Sequence, residues 1–205
     1  MISLFIDTSI SFPTISLVKD MEVLFSFHEE INFDMSSRIL QIIDNGLKKL
    51  NIDLYSVHKI FVVTGPGSFT GIRIGVTIAK TIAWTLKKDI IPISSLEYIA
   101  TTHTNKKYLI SMIDARRNNV YAGIYNNELK CVQEDSLINI DQLLKNKNDD
   151  YELLSYDNIE GCVKPVPNVI KIINKHINDV GINPHQVKPN YLKLTEAEEN
   201  RLKND

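Results

Sequence analysis

Lys59–Leu86 reads KIFVVTGPGSFTGIRIGVTIAKTIAWTL, and the fold is decided here. Ile60–Val63 is a short apolar run of β-branched and aromatic residues, the pattern of a buried strand. It breaks at Gly65-Pro66-Gly67, and a helical pattern runs on from about Thr70. Strand, glycine turn and helix together often hold an anion, because backbone N–H groups converge at a helix start. The spacing excludes the two best-known phosphate loops. Gly65, Gly67 and Gly71 give G-x-G-x-x-x-G, one residue off the dinucleotide fingerprint, and no Gly-Lys-Ser/Thr closes the loop. A glycine turn of another kind remains, with Gly65, Gly67, Ser68 and Thr70 as candidate nucleotide contacts. Ser68 and Thr70 have no recognisable base and no G-x-S-x-G elbow, so capping of the helix from Thr70 is expected rather than nucleophilic chemistry.

The helix carries Gly71, Gly75, Ala79 and Ala83 at every fourth position, a ridge of very small side chains. Two glycines inside a helix cost roughly 1 kcal/mol each relative to alanine, so another backbone must approach this ridge closely. Ile72, Ile74, Val76, Ile78, Ile82, Trp84 and Leu86 make the helix apolar on most sides. It therefore needs cover on more than one face. An earlier helix starts from a cap at Ser36 or Ser37 and runs to about Leu50, with Ile39, Ile43, Leu47 and Leu50 as its stripe. A subunit interface built of Gly71, Gly75, Ala79 and Ala83 with the stripe residues Ile39, Ile43 and Leu47 is one reading, and the stripe equally suits covering a sheet. Packing of the ridge on another helix of the same chain is the alternative. Arg73, Lys80 and Lys87 read as solvated or rim charge.

The 205 residues allow one large domain or two small ones, with 43% hydrophobic and 23% charged residues, ordinary for a globular protein. A net charge of −2 with scattered basic pairs leaves no electrostatic footprint for gripping RNA unaided. Cys131 and Cys162 are too few and too far apart for a metal knuckle or disulfide framework, which suits a reduced cytoplasmic setting. Met1–Ile10 lacks a basic start and is interrupted by Asp7, unlike a signal peptide. No apolar run approaches the roughly 20 residues of a membrane span. The histidines are His28, His58, His103, His176 and His185, with no two spaced three or four apart, so no helix presents a His pair to a metal.

Read in order, the chain opens with a strand at Ile2–Ile6 ending in Asp7-Thr8-Ser9, then a hairpin of Thr14–Val18 and Val23–Phe27 around Lys19–Glu22. Pro13 falls in the connection before that hairpin. Beyond the central helix, Asp89–Ile93 reads as a strand that Pro92 places near an edge, and Ser94 or Ser95 caps a helix through about His103. The polar segment Thr101–Lys107 is the expected boundary between domains at 1–105 and 106–205. The second half begins with a strand at Tyr108–Ile113, then a hairpin of Val120–Tyr125 and Glu128–Val132 turning at Asn126-Asn127. A helix near Asp141–Lys147 and a strand at Glu152–Ser155 follow. Asn168 caps a last helix with Ile170, Ile173, Ile177 and Val180 on one face and Gly181 past its end. The tail after Thr195 is short, charged and expected to be mobile.

The halves share an order of strand ending in Ile-Asp, hairpin, helix, strand and helix. Phe5-Ile6-Asp7 and Met112-Ile113-Asp114 are the matching strand ends. The expected class is α/β, a duplicated pair of actin-like, sugar-kinase-like (ASKHA) domains with mixed sheets and helices outside. In that class such aspartates face each other across a nucleotide cleft, which makes Asp7, Asp114 and Arg116 candidate cleft residues. Local capping of the turns that follow is the plainer use of both carboxylates.

The run Gly65-Pro66-Gly67-Ser68-Phe69-Thr70-Gly71-Ile72-Arg73-Ile74-Gly75 resembles the signature of the TsaB (YeaZ) family. Ile6-Asp7-Thr8, Ile93-Ser94-Ser95-Leu96, Ile113-Asp114-Ala115-Arg116 with Val120-Tyr121, and Pro189-x-Tyr191-Leu192-Lys193 are similar to its other motifs, in the family's order along nearly the whole chain. There are two departures. Met35 stands where many members carry a histidine, and the second half is compact. The resemblance implies a non-catalytic subunit that pairs with the tRNA threonylcarbamoyl transferase TsaD through helices of the first half and helps recruit the small ATPase TsaE. It implies action on the adenosine beside the anticodon, with tRNA met only through the complex, and leaves both a homodimer and a monomer open for the chain alone. No required cofactor is implied, only weak ATP or ADP binding at the complex interface. TsaD carries a His-x-x-x-His pair that this chain lacks. The competing expectation is a stand-alone ATP-dependent small-molecule kinase of the same fold; a peptidase has little support.

Overall fold

The computed structural model describes residues 1–31, 34–145 and 147–192. Two mixed sheets carry the architecture. The first is built from β1 (Ile2–Asp7), β2 (Thr14–Lys19), β3 (Glu22–His28), β4 (Val57–Gly65) and β5 (Ile90–Ser94), in the order β3-β2-β1-β4-β5. The second is built from β6 (Tyr108–Arg116), β7 (Asn119–Asn126), β8 (Cys131–Asn139) and β9 (Tyr151–Leu154), in the order β8-β7-β6-β9. In each, the first strand pairs antiparallel with a hairpin partner and parallel with a later strand. The weak sequence repeat is therefore a repeat of topology. Pro92 lies on edge strand β5, where its missing N–H is tolerated.

Strand alternation sorts side chains into layers. Leu4, Ile6, Ile60 and Val62 face a core shared with α1 (Met35–Lys49) and α2 (Phe69–Leu86), while Phe5, Phe61 and Val63 point to the opposite face. That opposite face is covered by Tyr98 of α3 (Ser95–Ile99) and by Val169, Ile172 and Ile173 of α5 (Val169–His176). Leu96, Ile99 and Ala100 then pack on Leu109, Ile113 and Leu154 of the second sheet. The short α4 (Ile140–Leu144) contributes Leu143 to the core beyond it. Helix α3 is thus the shared wall between the two halves. The last segment returns to the first half, since α5 and Val187 sit in its cores, so a cut near residue 105 does not separate the halves in space.

Several boundaries differ from the sequence reading for local reasons. Helix α1 starts after Asp34, a left-handed residue with φ 49° and no side-chain cap; Ser37 instead donates its hydroxyl to the Asp34 carboxylate. Met35 packs on the first core. Helix α3 stops at Ile99, short of His103, and the Thr101 and Thr102 hydroxyls donate back to the carbonyls of Tyr98 and Ile99. The β7–β8 turn is wider than Asn126-Asn127, because the Asn126 side chain accepts from the backbones of Glu128 and Lys130. Helix α5 ends at His176 rather than near Val180, and Ile182 goes on to bridge the exposed edge of β5 at Ile90. Lys193 and the tail beyond it lie outside the described residues.

Candidate functional site

The glycine turn is clamped by its own chain. Gly65 and Gly67 have φ of 114° and 149°, conformations that suit glycine. A β-carbon on Gly67 would collide with the Ser9 carbonyl, to which the Ser68 N–H donates at 2.7 Å. One on Gly65 would lie 2.9 Å from the Asn190 carbonyl oxygen, while Asn190 donates its own N–H to Thr64 at 2.7 Å. The helix cap is Ser68, not Thr70: its hydroxyl accepts from the Gly71 N–H at 3.2 Å. The side of the turn that approaches the β1–β2 loop is filled by backbone. The residues proposed from spacing to touch nucleotide serve there as a joint between strand and helix.

The small-residue ridge closes the same joint. Gly71 abuts the Thr8 carbonyl and Gly75 the Thr8 hydroxyl, leaving no room for a β-carbon at either. Ala79 and Ala83 are fully buried, as is Ile39, and Ile43 and Leu47 are nearly so. All five belong to the first core. The proposed interface set Ile39, Ile43, Leu47, Gly71, Gly75, Ala79 and Ala83 is therefore interior to this chain. The close backbone inferred from the glycines belongs to the end of β1, neither to another helix nor to another subunit.

What stays open is the opposite side of the same two helices. A groove of about 580 Å³ runs between α1 and α2, lined by Leu40, Phe69, Arg73, Ile74, Thr77 and Thr81, among others. Leu40 is 51% exposed, Phe69 40% and Trp84 63%. Three large apolar groups so placed on neighbouring helices mark a surface that excludes water only when covered. At one end the Phe69 and Tyr191 rings stack with centroids 4.9 Å apart. The Arg73 guanidinium lies 3.8 Å above Phe69 and donates from Nε to the Tyr191 hydroxyl at 2.8 Å. Beyond the groove, near the end of α2, Trp84 meets the edge of His185 at 4.6 Å. From sequence Arg73 reads as solvated or rim charge and Tyr191 only as part of a closing motif, and nothing there points to Leu40. A helix apolar on most sides gave notice of a second covered face without saying which residues form it.

Asp7 and Asp114 occupy equivalent strands in opposite environments. Asp7 is buried, and its carboxylate accepts from the Ser9 N–H at 2.8 Å and the Ser9 hydroxyl at 2.7 Å. Burial pushes its pKa up to about 6 against these two hydrogen bonds. Asp114 is more open, accepting from the Arg116 N–H at 2.8 Å and pairing with the Arg116 guanidinium at 3.4 Å. Each binds the residue two positions on, as a turn-capping carboxylate does.

A polar cluster ties α3 to both neighbours. Glu97, nearly buried, accepts from Lys175 and from His176 Nε2 at 3.0 Å, and His176 Nδ1 faces Asp179 at 2.6 Å. Ser94 and Tyr125 donate to Asp135 of β8. Burial acts to raise the Glu97 pKa, but hydrogen bonds from His176 and Lys175 outweigh it and the net shift is downward. His176 moves upward, burial opposing and its bonds to Glu97 and Asp179 prevailing. Among the described residues no group of three or more His, Cys, Asp and Glu is arranged to hold a metal ion.

A family model described as TsaD, tRNA N6-adenosine threonylcarbamoyltransferase, matches residues 30–192. The tRNA threonylcarbamoyladenosine biosynthesis protein TsaB of Bacillus subtilis (strain 168) is 32% identical over 218 residues, covering 94% of each chain. The protein of the same name from Buchnera aphidicola subsp. Schizaphis graminum is 34% identical over 149 residues, covering 69% of this chain and 70% of the relative. A crystal structure from Pseudomonas aeruginosa, described as an uncharacterized protein with similarity to peptidase YEAZ, superposes with a TM-score of 0.81 at 20% identity, covering 94% of this chain and 99% of the other. That likeness is one of fold.

Paired sheets of repeated topology, a strand-end aspartate in each and a wall helix between them define an α/β protein of the actin-like class. Within that class, the chain belongs to the TsaB (YeaZ) family of the wider TsaD group.

Proposed function

We propose that this protein is a non-catalytic subunit in the formation of threonylcarbamoyladenosine beside the tRNA anticodon, and that its α1–α2 face seats a TsaD-family transferase. The observation that carries the reading is the exposed groove: Leu40 and Phe69 line it and stand in solvent, with Trp84 exposed further along α2, on two helices whose other side is packed. Such a groove suits the apolar face of another helix. Family membership supports the pathway, and the absence of a His-x-x-x-His pair from the sequence supports a role other than the transferase. On this reading tRNA is met through the complex, since the chain has a net charge of −2 and no basic stripe. The small ATPase TsaE joins at the junction of the two subunits. Nucleotide is not required by this chain and is held only weakly at that junction, in keeping with a glycine turn filled on its inner side by Ser9 and Asn190. The setting is the cytoplasm, where tRNA is modified.

The test is reconstitution with the TsaD-family protein of the same organism. Leu40→Asp and Thr77→Arg, both at exposed positions, are expected to abolish complex formation in sedimentation velocity and to stop threonylcarbamoyladenosine formation, with circular dichroism unchanged. Undiminished association of both variants would overturn the reading. Magnesium-dependent ATP turnover by the chain alone, lost on Asp7→Asn, would favour a stand-alone kinase instead.

A further inference from the structure

The outward face of α2 has one sign of charge. Residues 69–86 contain no aspartate or glutamate, and their cations are Arg73 and Lys80. Lys80 is engaged, donating to the Val187 carbonyl at 3.1 Å. Arg73 lines the groove, and among the described residues no carboxylate forms an ion pair with it. Its side chain is nonetheless held in place from two sides, by the Phe69 ring 3.8 Å beneath the guanidinium and by the Tyr191 hydroxyl 2.8 Å from Nε. A long cation fixed in this way has already lost much of the rotamer freedom that binding would cost. Among the described residues no acceptor is bonded to its two Nη groups, which present a planar fork, the geometry that takes an oxyanion through two parallel hydrogen bonds.

Two oxyanions fit a fork, and the surroundings choose between them. A nucleic-acid backbone is gripped by several cations spaced along it. Here the rest of the groove lining is apolar or uncharged, Leu40, Phe69, Ile74 and Ile78 among it, and Arg73 is the one cation lining the groove among the described residues. An apolar trough with a single charged end matches an amphipathic helix that carries one acidic residue.

We infer that Arg73 is the specificity-determining residue of this face, pairing with a carboxylate on the partner protein's helix, with Phe69 and Tyr191 as its positioning residues. The inference rests on the reading of the α1–α2 face as the partner surface. It names what that surface recognises.

The probe is the purified TsaD-family protein of the same organism, titrated by calorimetry at low and high salt. Arg73→Gln is expected to weaken binding by at least about tenfold and to flatten the salt dependence. Arg73→Lys is expected to recover only part of the loss, because an ammonium cannot fork. Tyr191→Phe should cost less, about threefold, since it removes the positioning bond and leaves the charge. Arg73→Glu should be rescued by changing one acidic residue on the partner helix to lysine. If Leu40→Asp abolishes binding while Arg73→Gln leaves affinity and salt dependence unchanged, the inference fails and the surface reading stands. If neither variant weakens binding, the surface reading itself fails. Loss of tRNA binding to the assembled complex on Arg73→Gln, with protein affinity intact, would assign the fork to phosphate and overturn the inference. Thermal unfolding of each variant alone checks that the Phe69–Tyr191 stack survives.

Discussion

Thr8 and Gly71 are locked to one another in both directions: the Thr8 hydroxyl donates to the Gly71 carbonyl at 2.7 Å, and the Thr8 carbonyl fills the space where a Gly71 side chain would begin. Gly75, one turn on, abuts the same threonine's hydroxyl. The end of the first strand is therefore the surface on which the main helix is seated. Gly71→Ala gains about 1 kcal/mol of helix propensity but must push strand and helix apart, and overpacking of that kind costs about 1–3 kcal/mol or more. A net destabilisation of about 2 kcal/mol is expected for Gly71→Ala in urea unfolding, and a similar loss for Gly75→Ala. Both should weaken partner binding only through the fold. A variant as stable as the parent but unable to bind would place the ridge in an interface after all.

Asp7 sets a pH dependence of unusual sign for a carboxylate. Its pKa is raised in the folded chain from an ordinary 3.8 to about 6, so the folded state binds more protons than the unfolded state between those values. Its contribution to stability is most favourable below the ordinary value and declines as pH rises through about 6. Asparagine keeps an acceptor for the Ser9 N–H and hydroxyl and removes the buried charge. Asp7→Asn should thus gain about 2 kcal/mol at pH 8 and be neutral at pH 4, by urea unfolding at both. Equal effects at the two pH values would show that the carboxylate is not titrating in this range.

The Glu97–His176 pair has its own window. Glu97 is lowered, so its contribution is present above the ordinary 4.5 and is lost as pH falls through the folded value. His176 is raised, so its contribution is complete below the ordinary 6.5 and is lost as pH rises through the folded value. The pair supports the fold best between those two ordinary values. Glu97→Gln should cost about 2 kcal/mol near pH 5.5 and less at pH 9, because it leaves a protonated histidine and Lys175 without their carboxylate. Measured as the difference between variant and parent at each pH, the effect separates from that of Asp7. A cost that grows towards pH 9 would contradict the assignment.

The sequence showed what repeats and what is apolar, and lost sight of what depends on distant partners. Leu4 and Ile6 alternate with Phe5, so β1 is legible as a strand covered on both faces. Gly71 and Gly75 were legible as points of close approach, but the threonine they approach is 63 residues from Gly71. No local signal names it. The second strand of the later hairpin, read as Glu128–Val132, instead spans Cys131–Asn139, where Asp135 accepts from Tyr125 and Ser94. Conversely, Ile177 and Val180 continue a helical period that the chain abandons, since Gly181 is pressed on Asp89 and Ile182 bridges Ile90. Asp7 and Asp114 look alike as strand ends, and no local signal tells that Asp7 is the buried one, its pKa pushed up to about 6 by that burial.

The two sides of the α1–α2 pair should respond differently to the same kind of substitution. Ile72 faces inward with no exposed surface, and Ile72→Ala removes packed volume that neighbours cannot refill, at about 3 kcal/mol. Leu40 and Trp84 face outward at 51% and 63% exposure, so their replacement by alanine should fall within about 0.5 kcal/mol of the parent. If unfolding of the three variants shows that separation, the outward apolar groups do nothing for the folded monomer. Their cover must then come from outside the chain, and Leu40→Ala should weaken the partner while sparing stability. If Leu40→Ala and Trp84→Ala cost as much as Ile72→Ala, the groove is already closed in solution by this chain's own residues. In that event partner variants there would be reading stability, and the surface would have to be sought elsewhere.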